Sequence, residues 1–299
     1  AGAFAPQALQ KIGCEVLPLD CELDHTFPKY NPNTEDLKML HAMRDAVLKS
    51  GADLALGFDG DGDRCGVVDN EGEEIFADKV GVMLARDISE RHRNALFVAD
   101  VKSTGLFATD PVLIKNGART EYWKTGHSYM KRRVNEIGAI AGFEKSGHFF
   151  FNEPFGRGYD DGLIFAFAVC DLLDRNPHLS MAELKNALPK TWSSPTMSPH
   201  CPDERKYDVV DEIVRHFEAE RNRGGKLAGQ PIRDLVTVNG VRATVADGTW
   251  GLVRASSNKP ELVVVVESPV SEARMREMFN AVDGVLRTHK EVGAYNQTI

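Results

Sequence analysis

The chain has 299 residues, 42% of them hydrophobic and 27% charged, with a formal net charge of -8. That is ordinary globular composition, long enough for two or three domains with apolar cores of their own. It argues against a basic nucleic-acid-binding surface and a membrane span, and five cysteines without a CxxC pair argue against a disulfide framework or a thiolate zinc site.

The opening Ala1-Gly2-Ala3-Phe4-Ala5-Pro6 has neither an initiator Met nor a secretory leader and reads as a chain entered mid-domain. The cysteine usage fits a reducing, cytoplasmic setting. A helix is expected over 6–12 and a strand over 14–19. Asn33 or Thr34 is the expected cap of a helix with Leu37, Leu40, Met43 and Val47 on one face. A buried strand over 52–58 then delivers the acidic loop, and 65–69 with 74–76 read as a hairpin. Asp78 opens the next helix, which ends near His92.

A second unit of the same kind follows. It reads as strand 96–101, a helix through Leu113, strand 119–123, helix 128–137, a strand pair over 144–151 and an apolar helix over 160–173. Residues 189–202 hold four prolines and three serines and read as a linker. Then come a helix over 207–220, strands over 236–267 and a helix over 271–286. The expected fold class is α/β: two consecutive three-layer α/β/α mixed-sheet domains (1–94 and 95–190), a linker (191–205) and a smaller α+β C-terminal domain (206–299). Ligands of such sheets gather beyond the carboxyl ends of strands.

Asp59-Gly60-Asp61-Gly62-Asp63-Arg64 places three carboxylates between glycines at a strand end. Glycine allows the tight fold that makes the oxygens converge. An EF-hand needs Gly at the sixth position and Glu at the twelfth, where Arg64 and Asn70 stand. A haloacid-dehalogenase-like sugar phosphatase would use Asp59 as nucleophile, but Asp63 occupies the place of its Thr or Val. A solvated acidic turn leaves three crowded like charges unexplained. A Mg²⁺ cradle of Asp59, Asp61 and Asp63 beside a phosphoryl group, with Arg64 as a phosphate clamp, accounts for all four residues.

Three other loops are unusual. Lys124-Thr125-Gly126-His127-Ser128 opens a helix, a natural anion site, though a lone His is commonly structural. In Glu144-Lys145-Ser146-Gly147-His148, Glu144 and Ser146 suit sugar hydroxyls and His148 can shuttle protons; a polar hairpin turn is the plainer reading. Arg254-Ala255-Ser256-Ser257-Asn258-Lys259-Pro260 offers a guanidinium, hydroxyls and amides for a phosphate, or is an exposed hairpin loop.

The order of these segments carries more than any one of them. GFDGDGDR (57–64), DVKST (100–104), WKTGHS (123–128), EKSGH (144–148), YDDG (159–162) and RASSNKP (254–260) together closely resemble the α-D-phosphohexomutase superfamily, in particular its bacterial phosphomannomutase/phosphoglucomutase branch. The resemblance implies an isomerase of carbohydrate metabolism that interconverts hexose 1- and 6-phosphates of mannose, glucose or both. It passes through a bisphosphorylated sugar, glucose or mannose 1,6-bisphosphate, which also serves as activator. A phosphoserine on the family's first domain donates the phosphoryl group, and that N-terminal domain of the same protein would be the partner of the present three, which alone would be inactive. Small sugar phosphates, and neither nucleic acid nor membrane, are the expected ligands.

The resemblance also assigns roles. Asp59, Asp61 and Asp63 bind Mg²⁺, with Arg64 on phosphate or sugar. Lys102 and His148 serve proton transfer or charge stabilisation. Thr125, Gly126 and His127 recognise the sugar face, and Glu144 and Ser146 hold its hydroxyls. Arg254, Ser256, Ser257 and Asn258 bind the phosphate not being transferred. One departure stands out: the family's phosphate loop reads RASNTxP, and Ser257 and Asn258 replace its Asn and Thr. A non-catalytic sugar-phosphate binding module is the alternative outside enzymology.

Overall fold

The computed structural model describes residues 1–299 and divides into two compact units, Ala1–Glu121 with Thr125–Leu188, and Tyr122–Lys124 with Pro189–Ile299.

The first unit begins with α1 (Ala5–Lys11) and α2 (Leu37–Ser50). The expected strand over 14–19 does not form: these residues have no ladder partner, and Leu17 and Leu19 are exposed. A strand without a neighbour has nothing to pair its backbone groups with. The cap of α2 is neither Asn33 nor Thr34 but Asp36, whose carboxylate accepts from the Lys38 and Met39 amides. The helix therefore starts later, and Leu37 faces solvent while Leu40, Met43 and Val47 stay buried. Strands β1 (Leu54–Phe58), β2 (Cys65–Asp69) and β3 (Glu74–Ile75) form an antiparallel sheet in that order. Helix α2 lies so close to it that a Cβ on Gly57 would stand 2.4 Å from Met39 Cε, and the Met39 and Met43 side chains would have to move aside.

Helix α3 (Ala77–Arg91) starts one residue before Asp78 and is buried over most of its surface, as befits a helix packed on several sides. Next come β4 (Leu96–Asp100), α4 (Leu106–Thr109) and α5 (Pro111–Lys115). The single helix expected through Leu113 is thus two, because Pro111 cannot continue the first and Asp110 caps the second. Then follow β5 (Arg119–Trp123), α6 (His127–Glu136), β6 (Ala141–Phe143), β7 (Phe149–Phe151), α7 (Gly162–Asp174) and α8 (Met181–Asn186). Helix α8 starts with a Ser180–Glu183 capping box. The sheet runs β5-β4-β6-β7, with β4 and β6 parallel and β6 and β7 antiparallel. The expected strand pair over 144–151 is shifted: 144–148 is the loop joining β6 to β7.

A cluster of phenylalanines fills this core. Phe149 stacks on Phe165 at 4.1 Å, and Phe143 meets Phe149 edge-on at 5.0 Å. Burying each such ring contributes about 1.5–3 kcal/mol. By contacts, residues 1–94 group with 95–121 and 125–188 in this unit. Helix α3 packs on β2 and on β6, and α7 also reaches β2.

The second unit holds β8 (Trp192–Ser193), α9 (Lys206–Asn222), β9 (Lys226–Leu227), β10 (Gln230–Val236), β11 (Val241–Val245), β12 (Trp250–Ala255), β13 (Leu262–Ser268) and α10 (Glu272–Leu286). Its antiparallel sheet runs β8-β13-β12-β11-β10-β9, and both helices pack on it. The stretch 191–205 is not a free tether, because it carries the edge strand of this sheet. Ser193 pairs with Glu267, Met197 bridges to Val264, and Met197 and Cys201 are fully buried. Pro199 bridges to Tyr295, and its carbonyl accepts from the Leu262 amide. No helix is long and apolar enough to cross a membrane.

Candidate active site

The β1–β2 turn is the acidic loop. Phe58 pairs with Cys65, so residues 59–64 are forced into a tight reversal at the carboxyl end of β1. Asp59 is buried, and its Oδ1 accepts from the Gly62 amide at 3.0 Å and the Arg64 amide at 3.2 Å. Its Oδ2 accepts from Arg64 Nε at 2.7 Å. Asp61 is exposed and Asp63 half-buried, and one oxygen of each of the three carboxylates lies within 4.8 Å of the others. Burial and the neighbouring charges of Asp59, Asp61 and Asp160 raise the Asp63 carboxyl above its usual range, although His148 pulls the other way. Crowded hard oxygens of this kind fit a divalent cation such as Mg²⁺, which would relieve the repulsion.

Binding should nevertheless be weak without phosphate, because Arg64 already neutralises Asp59 and Mg²⁺ prefers to complete its shell with substrate oxygens. Calorimetry on residues 1–299 is expected to show Mg²⁺ affinity rising at least about tenfold, about 1.4 kcal/mol, when a hexose bisphosphate is present. Equal affinity with and without the sugar would contradict this.

The β6–β7 loop stands against the acidic loop, joined to it by a single antiparallel bridge between Arg64 and His148. Glu144 is buried at the end of β6. Its Oε1 accepts from the Gly126 amide at 2.8 Å and its Oε2 from the Ser146 hydroxyl at 2.9 Å. His148 presents Nδ1 to Ser146 Oγ at 3.2 Å and to Glu144 Oε2 at 3.5 Å, and Nε2 to Asp63 Oδ2 at 3.4 Å. Burial lowers its imidazole pKa, but Glu144 and Asp63 outweigh burial and leave it raised. His127, the first residue of α6, lies parallel to His148 at 5.9 Å, with Nδ1 3.3 Å from Asp160 Oδ2. Gly126 thus bonds Glu144 through its amide, while the adjacent Thr125 hydroxyl donates to Asp100.

Lys102 is placed by Asp100, the last residue of β4, which is fully buried. The ammonium lies 3.9 Å from Asp100 Oδ2. The same carboxylate accepts from the Ser103 hydroxyl at 2.6 Å, the Thr125 hydroxyl at 2.8 Å and the Lys145 amide at 3.1 Å. Burial pushes the Asp100 carboxyl up. Lys102 and these donors overcome it and hold the group below its ordinary value.

Asp100 and Asp160 stand in the DVKST and YDDG segments, and sequence pattern alone assigns neither a role. The structure makes Asp100 the common anchor of three loops. It also separates the adjacent acids of YDDG: Asp161 caps α7 through the Leu163 and Ile164 amides, and Asp160 turns to His127 and to the Asp63–His148 pair. A capping Asp two residues before an apolar run was a readable signal, and it left Asp160 as the unassigned acid.

Residues 254–260 belong to the second unit. Arg254 and Ser256 are buried at the end of β12, with Arg254 Nη1 donating to the Ala255 carbonyl. Ser257 and Asn258 are exposed at the tip, and Lys206 Nζ donates to the Lys259 carbonyl at 2.9 Å.

Models of phosphoglucomutase/phosphomannomutase match in series: α/β/α domain II over 1–72, α/β/α domain III over 76–192 and the C-terminal domain over 200–285. A phosphomannomutase/phosphoglucomutase of Pseudomonas putida is 36% identical over 282 residues, covering 93% of this chain and 57% of that protein. A phosphoglucomutase of Neisseria meningitidis is 34% identical over 284 residues, covering 94% and 58%. The crystal structure of a phosphoglucomutase/phosphomannomutase family protein from Burkholderia thailandensis matches with a TM-score of 0.84 at 27% identity, over 99% of this chain and 60% of that one. The chain thus spans 57–60% of the length of these relatives. Its loops, their order and these matches place it in the α-D-phosphohexomutase superfamily.

Proposed function

We propose that this chain supplies the metal, sugar and remote-phosphate loops of a Mg²⁺-dependent phosphohexomutase acting on mannose and glucose 1- and 6-phosphates in the cytoplasm. The observation that carries the proposal is the junction of the acidic loop with the Glu144–His148 loop through Arg64 and His148.

Asp59, Asp61 and Asp63 would hold Mg²⁺, which when bound offsets charge on a phosphoryl group in transfer. The remaining work falls to the chain's own side chains. Glu144 and Ser146 exchange hydrogen bonds with two sugar hydroxyls, in place of the one they make with each other. Lys102, held by Asp100, supplies positive charge beside them. His148 carries a proton at Nε2 or gives it up as charge moves. Arg254, Ser256, Ser257 and Asn258 would hold the phosphate at the far end of the sugar. The phosphoryl donor would be a phosphoserine from outside residues 1–299, and a bisphosphorylated hexose would turn end for end between two transfers.

Asp59 is a poor candidate for a phosphatase nucleophile, because it is buried and both of its oxygens already accept hydrogen bonds.

The test is a coupled assay on glucose and mannose phosphates. Residues 1–299 alone are expected to turn over neither, and adding a phosphoserine-bearing family domain should restore activity on both. In the restored enzyme Glu144→Gln should lower kcat/KM about 10- to 100-fold for both sugars, the worth of one or two charge-assisted hydrogen bonds. Full activity of the variant would remove the hydroxyl-reading role.

A further inference from the structure

Lys206 stands where neither a helix nor a core favours a lysine. It is the first residue of α9, the end of a helix that repels a cation, and it is only 4% exposed, which strips its ammonium of water. Asp203 lies 2.6 Å from Nζ, but that carboxylate is 65% exposed and does not account for the burial. The buried partner is the 254–260 loop, whose Lys259 carbonyl accepts from Nζ at 2.9 Å. The same carbonyl accepts from the Glu261 amide at 2.8 Å, so both of its lone pairs are engaged. The next carbonyl, that of Pro260, accepts from the Cys201 amide at 2.9 Å, and the Ser256 amide closes the loop on the Glu261 carbonyl at 3.0 Å. One arm of the loop is thereby tied to residues 199–206, and Ser257 and Asn258 are held out at its exposed tip.

We infer that Lys206 is a positioning residue of the 254–260 loop: it fixes the Lys259 carbonyl, and with it the backbone on which the hydroxyls and amides of 256–258 meet a phosphate. The inference rests on the reading of this loop as the remote-phosphate site. Lys206 acts through the loop backbone and not as a ligand of the anion. A loop ordered in advance loses less conformational freedom when the anion binds. A Lys259 carbonyl released from Lys206 would also present a lone pair that an anion repels.

The probe is inorganic phosphate, followed through the amide resonances of 254–260 in residues 1–299, so that phosphate at the acidic loop is counted separately. Lys206→Met keeps the volume and removes the charge, an exchange that a buried site tolerates well; denaturant melts verify the fold. The phosphate dissociation constant at the loop is expected to rise about five- to tenfold in this variant. Hydrogen exchange at the Ser256 and Glu261 amides is expected to quicken at least about tenfold while the amides of β11 stay unchanged, a pattern that general loosening of the fold does not produce. Asp203→Asn removes only the exposed ion pair and is expected to leave both readouts within about twofold. Unchanged affinity and exchange in folded Lys206→Met protein would overturn the inference, and so would an equal loss in Asp203→Asn. An unsubstituted chain without phosphate-induced shifts at 254–260 would remove the phosphate reading itself, and the inference with it.

Discussion

Gly162→Ala is expected to damage the acidic loop more than Gly60→Ala, although Gly60 lies inside the loop and Gly162 opens α7. A Cβ on Gly60 would meet only Pro32 Cγ, at 3.7 Å, which is ordinary contact. A Cβ on Gly162 would stand 2.7 Å from the Arg64 carbonyl oxygen and 2.8 Å from that of Gly62. The Gly162 amide also donates to the Gly62 carbonyl at 3.1 Å. Helix propensity alone favours alanine by at most about 1 kcal/mol. Overpacking costs about 1–3 kcal/mol when side chains can yield, and here both obstacles are backbone, so the steric cost wins. The expected outcome is a loss of about 2 kcal/mol of stability with Mn²⁺ affinity at the acidic loop reduced at least about tenfold. Denaturant melts and Mn²⁺ titration of both variants measure it. A Gly162→Ala protein with unchanged metal affinity would show that the loop does not lean on α7.

The second large effect is expected at Asp100. Its carboxylate is fully buried and serves Lys102, Ser103, Thr125 and the Lys145 amide together. Breaking a buried ion pair by removing one member costs about 3–5 kcal/mol. Asp100→Asn keeps the shape, loses the charge, and should cost about 3 kcal/mol at neutral pH. The pH dependence has a definite sign. The folded carboxyl titrates below the ordinary value of about 3.9, so between the two values the unfolded chain binds more protons than the native one. The contribution of Asp100 is complete above about pH 4 and is lost as the pH falls through the folded value. Melting temperatures of the two proteins should therefore differ most at neutral pH and converge on acidification below pH 4. A constant gap down to pH 2 would mean that the cost is steric.

The acidic loop and its neighbours were readable because their chemistry is local. Three Asp residues between glycines at a strand end leave few physical options, and the order of the later motifs removed most of those. What escaped reading was set by distant partners. Asp100 and Asp160 are single acids whose meaning depends on Lys145 and His127, residues remote in sequence or placed by another loop. The stretch 14–19 has strand composition, but a strand also needs a neighbour. The stretch 191–205 has linker composition, yet its Met197 and Cys201 fill a core built from residues some sixty positions on. Proline content describes how a backbone is solvated only when nothing packs against it.

The lone bridge between Arg64 and His148 has a consequence for how such a site can change. The two residues lie in different loops, yet their backbones share one pairing register. A one-residue insertion in either loop would invert which face the partner presents, turning His148 or Arg64 away from the cleft. The two loops are thus coupled through one backbone pairing. Either can drift by substitution, but their lengths must vary together or not at all.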